Sequence, residues 1–209
     1  TYNDAVTLGA VTTLSASSIT TGSTFNASSY AATLTTDAIA LGGNLSGSGA
    51  LTIQPKTNST TIGIGSAASG ALSLDDTELG RLVDGFSSIT IGSTTGTGAI
   101  AVAYTTPYTF TDPLTIRSNT SGGGAISATS ALNTGANSLT ITTGGAVSTV
   151  AITSGTLAIT GTGITLGGDV TTSGTQSYTG AVTLGADVTL ASTGNASTGN
   201  DISFSSTIN

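Results

Sequence analysis

Cysteine, histidine, methionine and tryptophan are all absent from this chain of 209 residues. No disulfide can staple it, and thiolate or imidazole metal centres are excluded. Charge is scarce too, at 6% of residues, against about 25% in an ordinary soluble domain. The only basic residues are Lys56, Arg81 and Arg117, and the formal net charge is −7. No basic patch can be assembled from them, which excludes a nucleic-acid partner. The same scarcity leaves trypsin-like proteases three cleavage positions, which suits life outside the cell. No run of eighteen apolar residues and no basic-then-apolar leader occurs, so neither a membrane span nor a signal peptide is read in these residues. An export signal is expected outside the segment.

What remains is Gly, Ser, Thr and small aliphatics. Disordered chains combine low hydrophobicity with high charge. Here hydrophobic residues make up 37% and mean hydropathy is +0.31, enough apolar side chain to fold. The chain opens on "TYNDAVTLGAVTTL" and returns near its end to "SYTGAVTLGADVTL". From Tyr2–Leu14 to Tyr178–Leu190, nine of thirteen positions are identical. That repetition leads us to expect a slice of a longer repetitive chain.

Periodicity is the informative signal. "ITLGGDVT", from Ile164, recurs as "VTLGADVT", from Val182, eighteen residues on. The same spacing joins Leu139 to Leu157, Ile141 to Ile159, and the series Ile152, Val170, Val188. Within each period a short stretch alternates apolar and polar residues, as in "SLTITTG", "TLAIT", "AIAVA", "ITIG" and "LTIQP", the period-two signature of a half-buried strand. Glycine then punctuates most of these stretches and allows a corner. Strands of about five residues with tight corners predict an all-β fold: a parallel β-helix of about 18 residues per coil, with roughly three sides. Ten to eleven such coils would span roughly 50 Å. Residues 1–209 are read as one β-helical segment. An immunoglobulin-like sandwich is the competing architecture, and it would call for turn signals every 8–12 residues and a larger aromatic core. A slender interior leaves little room for rings, and aromatics are 4%.

One stretch breaks the pattern. "LDDTELGRLVDGF" has Asp75 followed three residues later by Glu78, a capping box, then Leu79, Leu82 and Val83 at helical spacing and Gly85 as a stop. A short inserted helix is predicted over 75–84, its apolar edge against Phe86, Ile89 and Ile91. Residues 15–50 keep strand-like alternation but do not fit the eighteen-residue register, and longer coils or a loop excursion are expected there.

Candidate chemistry is sparse. Asp75, Asp76, Glu78, Arg81 and Asp84 form the only dense ionisable cluster. Paired carboxylates could serve glycan cleavage, but helix capping and dipole compensation explain the same residues. Asp169 and Asp187 lie eighteen apart, and a stacked pair could take calcium. The Gly-Gly-x-Gly-x-Asp nonapeptide of calcium rolls is missing, however, and corner aspartates that accept turn amides are the stronger reading. Sequons at Asn26, Asn44, Asn58, Asn119 and Asn195 are about as frequent as chance allows, since about a third of residues are Ser or Thr. No phosphate loop or dinucleotide fingerprint occurs. Thr-x-Thr units in "LTITTG" and "TLTT" resemble the threonine ranks of ice-binding solenoids, but they do not recur at one position of every coil. No catalytic, cofactor-binding or metal-ligating residue is expected, nor any cofactor.

"TYNDAVTLGA", "SYTGAVTLGADVTL", "NDISFSSTIN" and above all "TELGRLVDGFSSITIG" resemble phrases of filamentous haemagglutinin-like, β-strand-repeat bacterial surface exoproteins. The resemblance implies secretion or a cell-surface location, a long parallel β-helix shaft, and a role in adhesion, surface fibres or biofilm matrix. The amino-terminal secretion domain of such proteins is not in this segment. The expected function is structural, with other copies or adjoining repeats as partners through end-to-end stacking and host or matrix glycans as further ones. A carbohydrate-active or glycan-binding module is the alternative, with an ice-binding solenoid behind it.

Overall fold

The computed structural model describes residues 1–194 and 200–209. It is all-β apart from one four-residue helix among the described residues, and its paired strands run parallel. The strands form three stacked ladders, which the chain visits in a fixed rotation. This arrangement is consistent with a solenoid.

The first ladder begins at Thr12–Ser15, Ala32–Thr35, Ala50–Gln54, Ser88–Gly92, Leu114–Arg117 and Leu139–Thr142. It continues through the first halves of Leu157–Leu166 and Gln176–Leu184 and ends at Ile202–Phe204. Its inward column runs Leu14, Leu34, Ile53, Ile91, Ile116, Ile141, Ile159, Tyr178, Phe204. Like sits on like because the strand period is two, so a register that keeps parity keeps the column's aliphatic side chains turned inward. Each such side chain contributes on the order of 1.5–3 kcal/mol by burial.

The second ladder includes Ser18–Thr21, Ala38–Leu41, Leu72–Leu74, Ile62–Ile64, Ile100–Val102, Ile126–Ala128 and Ala146–Thr149, then the second halves of the two long strands. The third holds Val6–Thr7, Phe25–Asn26 and Leu45–Ser46, and later Leu132–Asn133, Ile152–Ser154, Val170–Thr172 and Leu190–Ser192. Leu82 bridges to Leu45, and Phe110 N–H bonds Asn133 O. All three ladders feed one hydrophobic core.

The eighteen-residue spacing holds where Leu139 pairs Leu157, Ile152 pairs Val170 and Ile164 pairs Val182. Elsewhere the register stretches. Thr12 pairs Ala32, twenty residues on, and Ile89 pairs Leu114, twenty-five on. Residues 15–50 therefore follow the same rotation as the rest, with slightly longer corners. Val170 pairs Leu190 rather than Val188, a slip of two residues that preserves inward parity.

Threonine divides into two populations. Outward threonines line the strands, and buried ones turn the corners: Thr36 Oγ1 donates to Ala38 O, Thr134 Oγ1 to Asn137 O and Thr172 Oγ1 to Gly174 O, at 2.6–2.7 Å. Each hydroxyl thereby satisfies itself on a corner carbonyl. The scarce rings are concentrated inside. Phe25, Phe86, Phe110, Tyr104 and Tyr178 are all buried, and Tyr178 stacks on Phe204 with centroids 4.9 Å apart. The interior thus has room for rings where smaller neighbours share the level.

At Ile62–Ile64 the chain runs one rung ahead on the second ladder, then returns so that Leu72–Leu74 fills the space beside Ala38–Leu41. The helix follows at once. It spans Asp76–Leu79, one turn and shorter than the 75–84 segment, because Leu82 is drawn into the third ladder, where Leu45 N–H bonds Arg81 O and Val83 N–H bonds Leu45 O. The helix therefore ends at Gly80, not at Gly85. No helix among the described residues is long and apolar enough to cross a membrane.

Candidate functional site

The capping box is formed as its spacing predicts. Asp75 Oδ1 accepts Glu78 N–H at 2.7 Å, and Glu78 Oε2 accepts Asp75 N–H at 3.0 Å. Glu78 Oε1 also accepts Leu41 N–H at 2.8 Å, so one side chain closes the helix start and an unpaired strand edge together. Asp76, the first residue of the helix, ties two loops to it. Its carboxylate accepts Ser66 N–H at 2.7 Å, Thr105 N–H at 2.9 Å, Thr106 N–H at 3.2 Å and the Thr105 hydroxyl. Those donors, the Thr105 hydroxyl first, hold its pKa down from the ordinary 3.8 to about 2. A carboxylate so loaded stays ionised at neutral pH and has no proton to deliver.

Asp37 repeats this design at another corner. It accepts from the Thr57 hydroxyl at 2.6 Å, Thr57 N–H at 2.8 Å, the Thr60 hydroxyl at 2.8 Å and Lys56 N–H at 3.0 Å. The Thr57 hydroxyl leads in lowering its pKa from 3.8 to about 2. Both groups have folded-state values below their unfolded ones. Their stabilisation is complete above 3.8 and is lost as pH falls towards about 2. Thermal melts of the double variant Asp37→Asn, Asp76→Asn are therefore expected to show a lower midpoint at neutral pH and a flatter decline between 3.8 and about 2. A variant that loses stability on acidification as steeply as the parent would contradict this.

Asp169 and Asp187 are not stacked. Asp169 Oδ1 accepts Thr189 N–H at 2.8 Å, whereas Asp187 is exposed, because the two-residue slip at Leu190 carries it off the equivalent position. Among the described residues no group of three or more acidic side chains is arranged to hold a metal ion. Three sequon asparagines act as local acceptors. Asn26 Oδ1 takes Ser28 N–H, Asn119 Oδ1 takes Ser121 N–H, and Asn58 Oδ1 takes the Thr95 hydroxyl. Asn44 is exposed, and Asn195 lies outside the described residues.

Beside the helix, Tyr104, Tyr108 and Phe110 form a run of ring contacts with centroids 6.1 and 4.9 Å apart. Tyr108 OH donates to Leu79 O at 2.7 Å. Burial pushes the Tyr104 and Tyr108 phenols above their ordinary range. A cavity of about 290 Å³ opens next to them, lined by Tyr104, Thr105, Pro107, Ser130 and Ala131. Of the cluster beside it, Asp76 accepts backbone amides, and Asp75 and Glu78 accept each other's N–H at the helix start.

The outer side of the first ladder carries aligned rows of side chains. Thr13, Thr33, Thr52, Thr90, Thr115 and Thr140 stand in one unbroken row, continued by Ala158, Ser177 and Ser203. A second row runs Ser15, Thr35, Gln54 and, past Gly92, Arg117, Thr142, Thr160 and Thr179. The full Thr-x-Thr unit stands in only two of these rungs, Thr33–Thr35 and Thr140–Thr142, so it does not recur in every coil; what unequal corners concealed is the single row from Thr13 to Thr140. No family model matches the chain, and neither does any curated protein or solved structure.

Proposed function

We propose that this chain is a closed, three-sided β-helix whose coils run from eighteen residues, between Leu139 and Leu157, to thirty-eight, between Leu51 and Ile89 where the extra strand and the helix are inserted, and that it serves as a structural shaft segment of a secreted or cell-surface bacterial fibre or adhesin. The observation that carries the reading is the first ladder, in which one inward parity is kept from Leu14 to Phe204 through strands whose separations in sequence vary widely. Nine strands at about 4.8 Å make roughly 40 Å of rod. Continuous backbone pairing resists bending and uses no bound group, so the segment holds whatever it carries at a distance. The likeness of its phrases to filamentous haemagglutinin-like exoproteins supports the same role. The outermost strands present backbone edges to further strands, whether of adjoining repeats or of other copies.

The expected result is twofold. Antibodies against the segment label intact cells and the label is removed by external protease, and purified protein at high concentration forms thin linear particles in electron micrographs. Absence of surface label together with compact single particles would overturn the reading. The aligned threonine rows favour one second reading, an ice-binding face, since they offer methyls and hydroxyls at a regular spacing. Gln54 and Arg117 interrupt the second row, which weighs against it. Thermal hysteresis that disappears in Thr90→Tyr, Thr115→Tyr would place function on that face rather than in the shaft.

A further inference from the structure

The repeated phrase stacks at eighteen residues over its first part, with Ile164 on Val182, Thr165 on Thr183 and Leu166 on Leu184. It continues as "GGDVT" from Gly167 and as "GADVT" from Gly185, yet the next rung pairs at twenty, with Leu190 rather than Val188 on Val170. Both registers turn the same parity inward and give Val170 an aliphatic neighbour, so burial does not choose between them. The two corners begin alike. Gly167 N–H bonds Thr149 O at 2.7 Å, and Gly185 N–H bonds Leu166 O at 2.8 Å. The departure therefore starts after Gly185, where two side chains oppose a repeat of the coil before. Gly168 lies so close to its neighbouring coil that a Cβ would stand 2.8 Å from Ala151 N, and eighteen residues on is Ala186, which carries one. Asp187 at that spacing would stack on Asp169, two carboxylates one strand separation of about 4.8 Å apart. In the register adopted, Asp169 Oδ1 accepts Thr189 N–H at 2.8 Å and Asp187 stands exposed. Ser192 Oγ then donates to Gly174 O at 2.9 Å and Thr193 Oγ1 to Thr172 O at 3.1 Å.

We propose that Ala186 and Asp187 are a register selector for the third ladder: a crowded methyl and a like charge expel the eighteen-residue pairing and set Leu190–Ser192 two residues further on. The rung has two discrete positions of equal inward parity, and the carboxylate makes the choice between them depend on charge at one exposed corner. Exposed charges act on each other through solvent, so salt weakens the selector. The neighbouring rung of the second ladder, already fixed by Ile164 on Val182, keeps its place in either case. The inference does not rest on the shaft reading.

The absence of cysteine makes the register readable by disulfide capture. Thr171 and Ala191 are partners in the ladder, so Thr171→Cys with Ala191→Cys is expected to oxidise readily. Thr189 lies two residues back along the strand, about 8 Å from Thr171 and beyond the reach of a disulfide. Thr171→Cys with Thr189→Cys therefore reports the eighteen-residue register. In Asp187→Asn the yield of the second pair relative to the first is expected to rise about fourfold at low salt, the effect of removing one like-charge contact across a strand spacing in water. Adding Ala186→Gly raises it further. In the parent, roughly 1 M salt, with a Debye length of about 3 Å, produces a similar rise, whereas in Asp187→Asn salt has no effect. Thr165→Cys with Thr183→Cys, on the rung already stacked at eighteen, is expected to form equally in every background. A yield ratio that Asp187→Asn leaves unchanged, or a salt dependence that survives in it, would overturn the selector. So would loss of the Thr165→Cys, Thr183→Cys pair in Ala186→Gly, Asp187→Asn, since the whole coil and not one rung would then have loosened.

Discussion

Replacing Ile116 by alanine is expected to lower stability by about 2–5 kcal/mol, read as a fall in the denaturation midpoint at unchanged slope. Ile116 is 0% exposed and sits between Ile91 and Ile141 in the inward column of the first ladder. Its strand is hydrogen-bonded to a neighbour on each side. The strands are held about 4.8 Å apart by that bonding, so the walls of the new cavity cannot move in to fill it. Ile116→Val should cost only about 0.5–1.5 kcal/mol. Leu14 occupies the same column but is half-buried and paired on one side alone, so Leu14→Ala should cost distinctly less. Equal losses at Ile116 and Leu14 would show that the column is not the unit of stability.

Gly92→Ala is expected to be comparably damaging for a different reason. Gly92 turns the corner after Ser88–Gly92 at φ +104, and a Cβ there would lie 1.9 Å from Arg117 O. The left-handed backbone costs about 1–2 kcal/mol with a side chain present, and forcing two bonded rungs apart adds roughly 1–3 kcal/mol. Gly122 separates the two effects. It has φ +88 but nothing within 4 Å of its would-be Cβ, so Gly122→Ala should show the backbone cost alone. Chemical denaturation of both variants checks this, and a Gly92→Ala protein as stable as Gly122→Ala would mean that the rungs are not in close contact at that corner.

These two sites also show how far the sequence could be read. "LTITTG" and "AIAVA" contain the strands Leu139–Thr142 and Ile100–Val102, and "LTIQP" overlaps the strand Ala50–Gln54, which begins one residue earlier. The Asp75–Glu78 capping box is equally local and forms as written. Residues 15–50 resisted because their pairing steps are nineteen and twenty, and because inward positions there are filled by Thr21, Ala27, Ala32 and Thr36, which carry little hydrophobic signal. The same unevenness concealed the one outward row of threonines from Thr13 to Thr140. Even the repeated phrase is placed differently at its two occurrences. Val6 pairs with Phe25 in the third ladder, whereas its counterpart Val182 pairs with Ile164 in the second.

Composition and alternation alone determined that this chain builds parallel β-structure with dry aliphatic interiors and threonine outside, because burial and strand period are properties of neighbouring residues. Which rung meets which was decided only by the folded chain, since corners of different length can present the same inward parity. Glu78 on Leu41 and the two loops gathered on Asp76 arise from that stacking. They join residues far apart in the chain, and a hydrogen bond between such residues leaves no periodic trace in the sequence.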